Sequence, residues 1–163
     1  MKKAKKILSL LALVLFMPMP AWAQDARPDL SGTWNLDIAK SDFGPTPVPE
    51  SMVQVIVHKD PAIKVSSTIK SQGSVISNER NITTDGKENT YTLKSPAGEQ
   101  AVKSTSTWSA NKLLTAMKVE TQGITLDISD VWELSADGKV LTMNREISTP
   151  QGDFTVRAVY NKQ

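Results

Sequence analysis

Leu30-Ser31-Gly32-Thr33-Trp34-Asn35-Leu36 is the stretch that decides how the rest of the chain reads. In an extended chain successive side chains point to opposite faces. Trp34, Leu36 and Ile38 therefore share one face, and Thr33, Asn35 and Asp37 the other. A glycine two residues before a large aromatic opens a strand whose tryptophan can plug one end of an apolar interior. Downstream the same period of two returns about ten times, with turn residues between the repeats and no convincing helical pattern.

The first interruption runs from Lys40 to Glu50, where Pro45, Pro47 and Pro49 lack amide donors and favour polyproline geometry. It predicts a strap crossing one end of a barrel. Met52 to Lys59 follows, with Val53, Val55 and Val57 on one face and His58 on the polar one, and then Ile63, Val65 and Ile69. A strand over Val75 to Thr83 leads to Asp85-Gly86, a hairpin signal. Tyr91 and Leu93 mark a short strand, and Val102 and Trp108 share a face of a longer one. Leu113 to Glu120 precedes the clearest repeat, Ile124, Leu126, Ile128, Trp132 and Leu134. Leu141, Met143 and Ile147, then Phe154, Val156, Ala158 and Tyr160, complete the series.

This pattern predicts an all-β domain, an antiparallel up-and-down meander β-barrel of about 8–10 strands. Consecutive hairpins need no Greek-key crossover, and closure removes exposed edges, which favours a barrel over a sandwich. An outer-membrane barrel would use the same alternation with its apolar face outward. The few aromatics leave nothing for two interfacial girdles, so no membrane insertion is expected.

Upstream, Lys2, Lys3, Lys5 and Lys6 precede an apolar run from Ile7 to Met17, and Ala21-Trp22-Ala23 supplies a small-x-small cleavage pattern. Residues 1–23 thus read as a cleaved signal peptide, too short to anchor. With no cysteine to carry a lipid, the expected product is a periplasmic or secreted protein of a Gram-negative cell, processed by signal peptidase I and not a lipoprotein. Residues 24–29 form an N-terminal linker and 30–163 a single β-barrel domain. Removing the four signal lysines from 19 basic residues leaves 15 against 17 acidic ones, so the net charge changes from +2 to −2. Nucleic-acid binding loses its main support, because it rests on clustered Lys and Arg. The absence of cysteine excludes disulfides, thiol catalysis and Cys-based metal sites.

On these residues the chain resembles the lipocalin and fatty-acid-binding superfamily of meander barrels. Gly32-Thr33-Trp34, the hairpin series and Arg157 in the closing strand carry the resemblance. Leu30 to Trp34 followed by Lys40-Ser41-Asp42-Phe43-Gly44-Pro45 is also similar to exported bacterial lipocalin-like proteins. The resemblance implies a structural closure in which Trp34, next to Gly32, packs at the closed end and Arg157 lies across it. It also implies a small hydrophobic or amphipathic ligand. The fatty-acid binders carry Arg-x-Tyr on the last strand. Here Arg157 and Tyr160 are three apart and face opposite ways, so that carboxylate grip does not transfer.

Catalytic chemistry has little to work with, and no catalytic residue, metal ligand or cofactor site is predicted. His58 is the single histidine and reads as a surface residue; imidazole metal sites need more than one. No serine lies in a Gly-x-Ser-x-Gly elbow. The anomaly is charge on apolar faces. Arg145 lies among Leu141, Met143 and Ile147, Asp130 among Ile128, Trp132 and Leu134, and Arg80 between Ile76 and Ile82. Buried charge is costly unless paired. A turn at Asp137-Gly138 would set Asp130 opposite Arg145. The two readings are a structural ion pair and a ligand site of Arg145, Arg80, Asp130, Trp132 and Met143 that grips an acidic head group. Two functions follow: a carrier or scavenger of a small amphipathic molecule, or a ligand-free envelope-stress module that uses the barrel exterior.

Overall fold

The computed structural model describes residues 27–163 apart from Ala97 and Gln122. The signal-peptide reading of residues 1–23 lies outside the described residues. Alternation becomes ten strands: β1 (Gly32–Leu36), β2 (Ser51–Lys59), β3 (Ala62–Ser71), β4 (Ser74–Thr83), β5 (Asp85–Ser95), β6 (Gly98–Ser109), β7 (Lys112–Thr121), β8 (Ile124–Leu134), β9 (Val140–Thr149) and β10 (Gly152–Lys162). They form one antiparallel sheet in the order β4-β3-β2-β1-β10-β9-β8-β7-β6-β5. The closing strand returns to the first, Trp34 opposite Lys162 and Leu36 opposite Tyr160. That curls the meander into a nearly closed barrel.

Two apolar clusters fill it. One, at the end where β1 starts, gathers Leu30, Trp34, Ile56, Ile63, Trp132 and Leu141. The other packs Val102, Met117, Val119, Ile128, Ile147 and Val156 toward the opposite end, with Phe43 and Phe154 against it. Trp34 has no exposed surface, and its Nε1 donates to the Leu30 carbonyl at 3.0 Å. The cation over its ring is Lys162, with Nζ 5.1 Å from the centroid. This corrects the expectation for Arg157. That side chain points outward and donates to the Lys40 carbonyl at 3.0 Å, because residues 157 and 162 differ by an odd number and occupy opposite faces of β10. Gly32 is required here: at φ 145°, a Cβ would lie 2.5 Å from Lys162 Cε.

Four other expectations change. On β2 the inward face is Met52, Gln54, Ile56 and His58, opposite Ile69, Ser67, Val65 and Ile63; Val55 and Val57 are exposed. The valines suit a strand through their branched shape, but the burial is decided by β3. His58 is therefore not a surface residue: its side chain is 5% exposed and it stacks on Trp108 at 5.7 Å. Ile38 leaves the β1 face for a single 3-10 turn and is exposed. The proline segment does not cross the mouth. Asp42 bridges Arg157 through both backbone bonds, and Gly44 approaches the Thr155 carbonyl, so the chain follows β10 before turning to β2.

Asp85-Gly86 makes no hairpin either. Its aspartate accepts from Thr83 Oγ1 at 2.7 Å and pairs with Lys87, while the register shifts between Asp85 and Glu88. β4 and β5 run side by side without a ladder. The barrel has a seam.

Candidate ligand site inside the barrel

Strand register places one polar row across four neighbouring strands. Ser106 faces Thr115, Thr115 faces Asp130, and Asp130 faces Arg145. Thr115, Asp130 and Arg145 are each flanked on their own strands by apolar residues two positions away, and Ser106 by Ser104 and Trp108, so the row divides the two core clusters. Ser106 and Thr115 share a hydrogen bond of 2.9 Å. Arg145 grips Asp130 in a fork, Nε to Oδ1 and Nη2 to Oδ2, both at 2.7 Å. Burial pulls the guanidinium pKa down, but the charge and hydrogen bonds of Asp130 offset this and leave it raised above its ordinary value. Both carboxylate oxygens are occupied by this fork, which satisfies the pair internally.

Arg80 is placed differently. It projects from β4 between Ile76 and Ile82, and its guanidinium lies 5.9 Å from the centroid of the Trp132 ring. It makes no hydrogen bond or ion pair with any described residue. With Arg145 neutralised by Asp130, Arg80 is the inward-facing cation left uncompensated among the described residues. Trp132 stacks in turn on Tyr160, 6.4 Å away and 11° from parallel. Burial pushes the Tyr160 phenol up to about 12, against the opposing effect of the positive Arg145 and Arg80 nearby. Its oxygen accepts from Gln54 Nε2 at 2.9 Å, while Gln54 Oε1 is buried without a partner.

These groups border a cavity lined by Arg80, Tyr91, Thr115, Met117, Asp130 and Trp132, with Leu30, Ile56 and Ile63 toward the closed end. The cavity has a volume of about 20 Å³. That is room for one or two waters. Of the predicted site, Arg80, Asp130 and Trp132 come together on this cavity. Arg145 stands behind Asp130, and Met143 belongs to the apolar core. Thr115, Tyr91 and Gln54 were not anticipated. Thr115 alternates with Leu113 and Met117, and Gln54 with Met52 and Ile56, so their parity carried the signal. Among the described residues no group of three or more metal-ligating side chains occurs.

Solved structures share this architecture. The zebrafish ileal bile acid-binding protein complexed with cholic acid has a TM-score of 0.53 at 16% identity, over 82% of this chain and 98% of that one. A secretory abundant heat soluble protein from Ramazzottius varieornatus has a TM-score of 0.55 at 14% identity, covering 82% and 94%. The chain has the calycin fold. Identities this low establish the fold alone. Compared with known protein families and with curated proteins, the sequence matches none.

Proposed function

We propose that the chain is an exported lipocalin-like binding protein, a carrier or scavenger of a small amphipathic or hydrophobic molecule with an anionic head group. The observation that carries this reading is Arg80, a guanidinium inside an apolar barrel with no acidic partner among the described residues. An interior cation of this kind is stabilised by an incoming carboxylate or sulfonate. The zebrafish barrel of the same fold holds cholic acid, which supports the same ligand class here. Arg145 is not the grip in this reading, because its donors already satisfy Asp130.

A second reading, a ligand-free interaction module, draws on the roughly 20 Å³ of usable interior space. Binding and displacement of 1-anilinonaphthalene-8-sulfonate by a fatty acid separate the two. The wild type should bind the probe, and Arg80→Met should weaken it about tenfold or more, in line with the strength of charged hydrogen bonds. Unchanged affinity in a folded Arg80→Met protein would reject the grip and leave the exterior reading ahead.

Export rests on residues 1–23. Protein recovered from a Gram-negative periplasm should begin at Gln24, and an intact mass that retains the first 23 residues would overturn this part of the proposal.

A further inference from the structure

The seam between β4 and β5 has an unusual fastening. At the turn, Thr84 is tied down: its amide donates to the Pro61 carbonyl at 2.8 Å and its hydroxyl to Asp60 Oδ1 at 2.7 Å. Farther along, Asn78 Nδ2 donates to the Lys94 carbonyl at 3.0 Å, and its Oδ1 accepts from the Lys94 amide at 2.6 Å. A carboxamide carries the same donor and acceptor as a peptide group, so one side chain stands in for a ladder pair. Between these two points, beyond the Thr83 Oγ1–Asp85 Oδ1 hydrogen bond at the corner itself, no ladder and no side-chain hydrogen bond joins β4 to β5 among the described residues.

The cavity borders this seam from within. Arg80 follows Asn78 by two positions on the same inward face of β4, and Ile82 and Tyr91, also from the two seam strands, line the cavity. The barrel mouth offers a poorer path. There Val102, Met117, Val119, Ile128, Ile147 and Val156, each no more than 9% exposed, form a packed layer between the opening and the polar row. Breaching that layer separates many apolar contacts at once, whereas parting the seam near Arg80 breaks one pair of hydrogen bonds and the packing of Ile82 and Tyr91.

We propose that the seam is the entry path for small anions to Arg80, and that Asn78 is its latch. This rests on the proposed binding function for its purpose, but the path itself can be tested without that ligand. In a Trp22→Phe, Trp108→Phe background, fluorescence comes from fully buried Trp34 and from Trp132, which lies under Arg80. Iodide, a small anion, then reports access to Arg80 by quenching Trp132. Asn78→Ala should raise the quenching constant, and hydrogen exchange at the Lys94 amide should quicken roughly ten- to thirtyfold as two hydrogen bonds are lost. Phe43→Ala, which loosens the mouth instead, should change neither.

Equal quenching in wild type and Asn78→Ala, or a larger rise in Phe43→Ala, overturns the seam path. The sulfonate probe then separates the two proposals. If it binds but its association and dissociation rates ignore Asn78→Ala, the binding function stands and the latch fails. If it does not bind while iodide access still rises in Asn78→Ala, the latch stands and the binding function fails.

Discussion

Trp34→Ala should destabilise the protein by about 3–5 kcal/mol, the range for emptying a large, fully packed aromatic site. The indole has no exposed surface and closes one end of the barrel, where its Nε1 satisfies the Leu30 carbonyl. Loss of the ring leaves a void and an unpaired carbonyl together. Lys162→Ala should cost less, on the order of 1 kcal/mol, because the cation over the ring remains partly hydrated. In denaturant unfolding, a double-mutant cycle of Trp34→Ala with Lys162→Ala should show coupling, and one with Arg157→Ala should be additive. Additivity with Lys162 would mean that the ammonium contributes nothing over the ring. Coupling with Arg157 would mean that the closing strand is turned the other way.

The second large effect comes from the polar row. Asp130→Ala should cost on the order of 2–3 kcal/mol, because it strips the half-buried Arg145 guanidinium of its buried counter-ion and both hydrogen bonds. Arg145→Met with Asp130→Leu should be neutral or stabilising, since the two charges and their desolvation disappear together. Chemical denaturation of the three proteins gives both values. A double variant as unstable as Asp130→Ala would show that the pair does more than neutralise itself. Probe binding in the same double variant should persist, because Arg80 is untouched. That outcome separates the structural pair from the free cation on the other side of the cavity.

Much of this arrangement was legible before any coordinates. Asp130 opposite Arg145 follows from strand parity and the turn near Asp137-Gly138, and the ladder has that register. The five-residue stretch between Leu134 and Val140 that carries the turn keeps the sum of paired residue numbers constant, so distant pairs can be counted from it. Arg80 on an inward face follows in the same way from Ile76 and Ile82. The errors share a cause. On β2 both faces carry apolar residues, Val53, Val55 and Val57 against Met52 and Ile56. Local polarity cannot decide between such faces, and His58 was misplaced with them.

Alternation along the chain carries the strands, their antiparallel order and the charges on inward faces, because a period of two is a property of the extended backbone. Which of those charges remain free is settled in the folded barrel. Asp130 has two oxygens and lies beside Arg145 on the next strand, so its capacity is used there, and Arg80 across the barrel is left with Trp132 alone. The cation over Trp34 was likewise settled by three dimensions, where β10 pairs Lys162 with Trp34 and turns Arg157 outward. The seam belongs with these. Asp85-Gly86 has the residues of a hairpin, but the ties of Thr84 to Pro61 and Asp60 hold the corner, and Asn78 supplies the pairing that β4 and β5 make beyond it among the described residues. Such outcomes depend on competition among groups far apart in the chain, and no local pattern records which of them wins.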